Sequence, residues 1–405
     1  MITDLASYDV DPVRGFLPAQ DPLTQLPAPF AEWDHLAAEL PALILTGRVR
    51  RRLEQLQTPD LAYLEDSGQL ERAMLVISAL GMAYVWGMEP PARRIPAAIA
   101  VPWQRLADKL GRPPIMTHAS IVLNNWRRLD PQQPIMADNL ASVQHFLGGM
   151  DEQWFFTVTA ALEAAGAPAL LPLVRAKQAV TEANSGTIID DGTIIDELKR
   201  VGSIFQQVLL VLRRMYEKCD PYIFYLRIRP FLTGWDKSGI VYEGVSETPL
   251  KLNGGSAAQS SLIQAFDAGL GIEHLHPETR PFLTLMRDYM PPRHRRFVED
   301  LAAGPSVYDY VSTQQQETPA LANAFNACID ALDNIRKAHM EIAVRYILHQ
   351  SPEGEKGALG TGGSSFVPLL KEARKETIQK KLKQYFLYRK LESSSFLIFD
   401  LGALL

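Results

Sequence analysis

Apolar residues recur at steps of three and four along most of the chain, the spacing of helices that bury one face. The first forty residues depart from this. Pro12, Pro18, Pro22, Pro27 and Pro29 leave no sustained period there, so the segment reads as extended chain laid over a surface. From Trp33 the pattern turns helical, with Leu36, Leu40 and Leu43 on one side, and Arg48 to Leu56 follows as a basic, solvated face. Leu70 to Trp86 is apolar nearly all round, which predicts a helix buried on every side. Val101 to Leu110, Ile121 to Arg127 and Asn139 to Leu147 read as further short helices, punctuated by Pro113-Pro114 and Asp130-Pro131. Gly148-Gly149 then marks a boundary between a small N-terminal unit, 1–147, and a large unit, 148–405.

Beyond the boundary the helices lengthen. Trp154 to Ala165 sets Phe155, Val158, Thr159 and Leu162 on one side, and Ile195 to Tyr216 repeats apolar residues at Leu198, Phe205, Leu209, Leu212 and Tyr216. The duplicated GTIID in SGTIIDDGTIID is too short to be a solenoid and reads as a loop ending in a helix start. Leu321 to His349 is the clearest long helix. Period-two alternation is confined to short pieces such as Gly239 to Glu243, so the fold class is all-α. Near the C-terminus, Ser351 to Ser365 holds Gly354, Gly357, Gly360, Gly362 and Gly363, the composition of a mobile loop. Phe366 to Arg389 follows as a basic amphipathic helix. Glu372 and Glu376 interleave its charges, which favours docking on the protein over lying on a membrane. The apolar tail Phe396 to Leu405 is expected to dock as well.

Composition narrows the partners. The 405 residues allow two or three compact units with a large core. Forty-one basic side chains against 46 acidic ones leave a net charge of -5, which offers no electrostatic reason for binding nucleic acid or an anionic membrane. Cys219 and Cys328 are the only cysteines, with no Cys-x-x-Cys pair, so a disulfide framework or structural zinc site is excluded and a reducing cytoplasm fits. Met1 to Val10 carries Asp4 and Asp9 and lacks the basic and apolar regions of an export signal.

Histidine is the informative residue type. His35, His145, His274, His276, His294 and His349 lie beside charged or loop residues and read as solvated. His339 instead continues the core stripe Leu321, Phe325, Cys328, Leu332 and Ile335, which resumes at Ile342 and Tyr346. Its ring points inward, and two readings stay open: a core histidine bonded to a backbone carbonyl, or an axial haem ligand. Arg229 offers a planar fork to a carboxylate, or it is an ordinary surface charge beside Arg227 and Lys237.

The stretches FYLRIRPFLTGWDKSGIVYEG (Phe224 to Gly244), GGSAAQSS (Gly254 to Ser261), MPPRHRRF (Met290 to Phe297), IRKAHMEIAVRYI (Ile335 to Ile347) and GTGGSSF (Gly360 to Phe366) resemble the signature of the indoleamine 2,3-dioxygenase family. The likeness is weaker from about Ser120 and covers most of the chain after it. It implies a two-domain, all-α haem protein that inserts both atoms of dioxygen into the indole ring of tryptophan. By position, His339 matches the proximal histidine of haem b, the iron's only protein ligand, and Arg336 and Asp267 match a pair near a haem propionate. Phe224 matches the phenylalanine that packs on the indole, and Arg229 the arginine that binds the substrate carboxylate. Phe155 and Thr159 fall on the distal helix, while Gly255, Ser256 and Ala257 match the loop roofing the haem. Ser364 replaces the usual threonine of the mobile loop, and Thr159 replaces a common serine. His118 stands where the better-known members carry tyrosine. It is either a solvent-facing loop residue or a polar group on the pocket wall that adds a proton donor or acceptor. The chemistry suits these types, because an apolar pocket of Phe155, Phe224 and Ala257 keeps protons and water from the reacting oxygen.

The expectation is therefore a cytoplasmic, monomeric enzyme that uses ferrous haem b, dioxygen and a separate reductant to open the pyrrole ring of L-tryptophan or a close indole derivative. Its rivals are a haem-dependent indole monooxygenase of a biosynthetic pathway and a haem sensor without turnover.

Overall fold

The computed structural model describes residues 2–186, 190–352, 354 and 359–383. Helices form where the apolar periods run. In the N-terminal third these are α1 (Ala31–Leu45), α2 (Val49–Leu53), α3 (Ser67–Trp86) and α4 (Ala97–Leu110). Asp66 caps α3 by accepting the Gln69 N–H at 2.8 Å, and every residue from Ala73 to Val85 is buried. The helix is buried on all sides because α4 crosses it at Gly81, where a Cβ would lie 2.1 Å from the Trp103 ring. The basic stretch before α3 is only partly solvated: Arg50 turns inward and donates to the carbonyls of Tyr84 at 3.0 Å, Met88 at 2.8 Å and Pro90 at 2.7 Å. It thereby satisfies the open C-terminal carbonyls of α3.

Strands are few and short: β1 (Arg94–Ile95), β2 (Arg127–Arg128), β3 (Leu140–Ala141), β4 (Ile240–Tyr242) and β5 (Ser246–Leu250). β4 lies between β1, which it pairs in parallel, and β5, which it pairs antiparallel, while β2 and β3 form a separate antiparallel pair. The alternating piece Gly239 to Glu243 thus becomes the centre of a three-stranded sheet. Two segments expected to be helical are not α-helices. Ile121 to Arg127 starts within a π turn, Ala119–Leu123, and ends at β2. Asn139 to Leu147 has only β3 and irregular chain, because side chains take its backbone groups. The Glu152 carboxylate accepts from the N–H groups of Phe146, Leu147 and Gly148 at 2.6, 3.0 and 2.7 Å.

The larger half consists of α5 (Met150–Gly166), α6 (Leu170–Asn184), α7 (Asp191–Arg213), α8 (Met215–Lys218), α9 (Pro221–Ile223), α10 (Ser261–Leu270), α11 (Thr279–Arg287), α12 (Pro292–Ala302), α13 (Val307–Gln314), α14 (Pro319–Ala343) and α15 (Phe366–Gln379). α7 begins between the two copies of the pentapeptide, with Asp190 as its cap, so the second copy forms its first turns. α14 packs along α7, where the Cys328 thiol donates to the Leu198 carbonyl at 2.9 Å. Both cysteines are free and buried, and Cys219 sits between α8 and α9 rather than within a helix. The stretch Met150–Asn184 is long and apolar enough to cross a membrane, yet 67% of its window is buried inside the protein, as in a core helix. Apolar side chains from both sides of Gly148 join one contiguous core, in which Phe146 stacks on Phe231 at 4.6 Å. α15 docks on the protein through Arg374, which pairs with Asp333 of α14 at 2.7 Å. The end of the basic segment beyond 383 and the apolar tail lie outside the described residues.

The N-terminal segment is held by a histidine that local sequence assigns to solvent. His294 is buried, its Nε2 meets the Asp9 carbonyl at 3.2 Å, and its ring lies 4.9 Å from Phe16. Burial pulls this imidazole down to about 4. An unfolded histidine takes a proton near about 6.5, so this contribution to stability is full above that pH and is lost as acid brings the solution toward 4. Between pH 7 and pH 5 the loss should be about 2 kcal/mol. Urea unfolding at the two pH values checks this, with His294→Phe as the reference; equal acid losses in wild type and variant would remove the assignment.

Candidate functional site

Phe155 and Thr159 lie one turn apart on α5 and face the same way, toward the chain that runs from α9 into a π turn at Phe224–Ile228. Asp220 orients that turn by accepting the N–H groups of Tyr222 and Ile223 at 2.9 and 3.1 Å. Phe224 is thereby clamped between Phe155, at 4.7 Å between ring centres, and Tyr346, at 5.7 Å and edge-on. Tyr346 is fixed in turn, because its hydroxyl donates to the Cys219 carbonyl at 2.6 Å. The described residues contain three π turns, Ala119–Leu123, Phe224–Ile228 and Val344–Leu348, and each contributes residues to one cavity. Such turns widen a helix locally and frequently mark functional sites.

The cavity is lined by His118, Phe155, Thr159, Phe224, Gly255, Ser256, Ala257, Ser364 and His339 of the residues singled out from sequence. Chain segments distant in sequence converge there, and most of the other lining groups, such as Ile121, Val122, Ile342 and Leu370, are apolar. His339 is half-buried and lines the cavity. Burial, with a further push from the Arg336 charge, pulls its ring down to about 4, so the imidazole is neutral near pH 7. It has no hydrogen-bond partner among the described residues. The carbonyl-bonded core histidine is therefore not what the structure contains. A neutral, unpaired imidazole at the wall of an apolar cavity is a donor set that fits haem iron.

Thr159 spends its hydroxyl in its own helix, donating to the carbonyls of Phe156 at 2.8 Å and Phe155 at 3.1 Å. Ser256 accepts the Ala258 N–H at 3.3 Å and caps a short turn, Ala257–Gln259. Above it lies the end of the Gly-rich loop. Thr361 donates its hydroxyl to the Gly255 carbonyl at 2.6 Å, while its own carbonyl accepts from Gly234 and Gly254 at 3.3 and 3.2 Å. Glycine is required at this junction, since a Cβ on Gly254 would lie 2.1 Å from the Leu232 carbonyl oxygen. Residues 353 and 355–358 of the loop lie outside the described residues.

Arg229 does not line the cavity; it stands at its rim. Its guanidinium donates to the Leu359 carbonyl, next to the cavity residue Gly360, and lies 5.2 Å over the Tyr225 ring. Its Nε is buried without a partner, and no carboxylate pairs with it among the described residues. Burial lowers its pKa, offset in part by Tyr225. The ordinary surface ion pair is thus absent.

Arg336, one turn along α14 from His339, and Asp267 of α10 also stand outside the cavity, where they form an ion pair. They belong to a chain of charges that local sequence did not reveal. Asp267 meets His274 at 3.1 Å, and His274 meets Glu376 of α15 at 2.7 Å. Burial opposes charge on Asp267, His274 and Glu376, yet Arg336 and His274 hold Asp267 low, Asp267 raises His274, and His274 lowers Glu376. His274 is nearly buried rather than solvated, and the network ties α15 to the helix carrying His339. His145 is half-buried, whereas His35 and His349 are exposed as expected.

His118 faces the cavity and is not a solvent-facing loop residue. Its Nε2 lies 2.9 Å from Glu163, a buried carboxylate that sequence reading passed over. The available signal was the spacing of Phe155, Thr159 and Glu163, which places an acid on the helix face that lines the pocket.

A mainly helical chain with an aromatic cavity ending on an unpaired neutral imidazole defines a class, that of a haem-dependent oxidoreductase acting on apolar rings. A sequence model of the family described as "Indoleamine 2,3-dioxygenase" matches residues 4–380. Human indoleamine 2,3-dioxygenase 2 is 35% identical over 398 residues, covering 93% of this chain and 95% of its own. The indoleamine 2,3-dioxygenase of Saccharomyces cerevisiae is 30% identical over 426 residues, covering 92% and 93%, and indoleamine 2,3-dioxygenase nanC of Aspergillus nanangensis is 32% identical over 402 residues, covering 93% and 96%. The chain belongs to the indoleamine 2,3-dioxygenase family and is a haem-dependent enzyme that combines an indole substrate with dioxygen.

Proposed function

We propose that the enzyme opens the pyrrole ring of L-tryptophan or a close indole derivative, giving an N-formylkynurenine-type product. The observation that carries this reading is the pairing of an aromatic cavity, lined by neutral His339, with a half-buried Arg229 at its rim that pairs with no carboxylate among the described residues. An amino acid with an indole side chain supplies both missing partners.

His339 would hold haem b, with Arg336 and Asp267 toward a propionate, and the bound haem, ferrous in the active state, would supply activation of dioxygen. The protein's own contribution is positioning. Phe155 and Phe224 hold the indole and exclude water, and Arg229 anchors the carboxylate by a charge-assisted bond, exchanging the Leu359 carbonyl for it. Ser256 and Ser364 offer hydroxyls near the polar end of the substrate. No side-chain base is needed in this scheme, in keeping with a Thr159 hydroxyl already committed to its helix. The enzyme works as a cytoplasmic monomer kept reduced by a separate electron donor, without nucleic acid or membrane.

Reduced holoenzyme incubated with L-tryptophan in air should yield N-formylkynurenine, identified by ultraviolet absorbance and mass, with both labelled atoms incorporated from isotopic dioxygen. Incorporation of one atom would mean a monooxygenase, and absence of turnover would mean a sensor.

The Gly-rich segment should act as a lid. Its described end holds Gly360, Gly362 and Gly363, and there Thr361 and Ser364 line the cavity. Saturating L-tryptophan should therefore slow hydrogen exchange across 351–365. Unchanged exchange there would exclude a substrate-coupled lid.

A further inference from the structure

His118 and Glu163 sit on different elements, 45 positions apart, and meet at the distal wall beside Phe155, Ile121 and Val122. Glu163 is only 2% exposed and pairs with no arginine or lysine among the described residues. One of its oxygens accepts the Ser260 hydroxyl at 2.6 Å and faces His118 Nε2 at 2.9 Å, while the other is buried without a partner. The oxygen that accepts the Ser260 hydroxyl faces Nε2 as an acceptor, so the Nε2–H donates to it, and this sets the tautomer of the ring. Nδ1 then carries a lone pair. It has no hydrogen-bond partner and is not among the fully buried unpaired atoms, and the 11% of the side chain that is accessible belongs to a residue lining the cavity. The backbone is equally constrained: the His118 N–H donates to Gln259 at 3.0 Å, and Gln259 donates to the Gly254 carbonyl at 2.9 Å. The loop that carries Gly255, Ser256 and Ala257 thus holds the His118 main chain directly and its ring through Glu163, which accepts from Ser260.

We propose that His118 is a specificity-determining hydrogen-bond acceptor for a donor on the substrate's ring system, with Glu163 and Ser260 as positioning residues that set its tautomer. The proposal rests on the reading of the cavity as an indole site. An acceptor placed on an apolar wall discriminates strongly, because a ligand that lacks the matching donor leaves it desolvated and unpaired. Two groups on an indole have this chemistry, the ring N–H and a hydroxyl on the benzene ring.

The test is a cycle of equilibrium binding constants, read from the haem absorbance of ferric holoprotein, for wild type and His118→Phe. The ligands are L-tryptophan, 1-methyl-tryptophan and 5-hydroxytryptophan. If the ring N–H is the donor, His118→Phe should weaken tryptophan about two- to tenfold and leave 1-methyl-tryptophan unchanged. If the hydroxyl is the donor, the preference of wild type for 5-hydroxytryptophan over tryptophan should disappear in the variant. A parallel change for all three ligands would overturn the proposal, since a merely structural role does not distinguish them. Glu163→Gln provides a second route should the first variant not retain haem. Its amide can donate to Nε2, which turns an N–H toward the cavity, so it should show the same ligand-selective loss; a uniform loss would overturn the positioning role of Glu163. Failure of all three indoles to perturb wild-type haem would instead count against the indole site itself.

Discussion

His339→Ala should purify with little or no haem, and added imidazole should restore part of the absorbance. Among the described residues it is the cavity imidazole with no hydrogen bond on either ring nitrogen, whereas His118 is engaged by Glu163 through Nε2. Its helix carries it rigidly: α14 is 25 residues long, packs along α7, and is braced by the Arg336–Asp267–His274–Glu376 chain. Removing the ring leaves a space that exogenous imidazole can fill without rebuilding the backbone. Haem content by absorbance per mole of protein is the measurement. A variant with normal haem content and an unchanged spectrum would remove His339 as the axial ligand.

Arg229→Ala should reduce kcat/KM for L-tryptophan by about tenfold to two-hundredfold, the equivalent of about 1.5–3 kcal/mol for a hydrogen bond between charged groups. Most of the loss should fall in KM, because the carboxylate contact is made in the ground state and the transition state alike. Carboxylate-free indoles never use the contact, so their turnover should change far less. The guanidinium already binds a backbone carbonyl of the loop, and its buried Nε has no partner, so the substrate carboxylate gains a desolvated and pre-aimed donor. Equal losses for tryptophan and indole would make Arg229 a structural brace for the loop at Leu359.

The helical class was legible in the sequence because a helix is a local object, whose period and caps lie within a few residues of each other. The stripe through Phe325, Cys328, Leu332 and Ile335 predicts which face of α14 is buried and turns His339 inward on the same grounds. Clustered motifs such as GGSAAQSS likewise carry the family, since backbone close approach at Gly254 and the cap at Ser256 depend on residue type. Local rules fail where distant groups supply the partner. Asn139 to Leu147 has an adequate helical pattern, but Glu152 takes its last two N–H groups and that of Gly148, and the chain bends instead. His274 and His294 sit among charged neighbours in sequence, yet one is enclosed by Asp267 and Glu376 and the other by the N-terminal segment. Whether Arg229 pairs with a protein carboxylate depends on what folds against it, and only the assembled rim leaves it without one. The same holds for His118: its type was visible, but its tautomer is decided by Glu163 and Ser260, 45 and 142 positions away, because a hydrogen bond needs contact in space and sequence distance does not measure it.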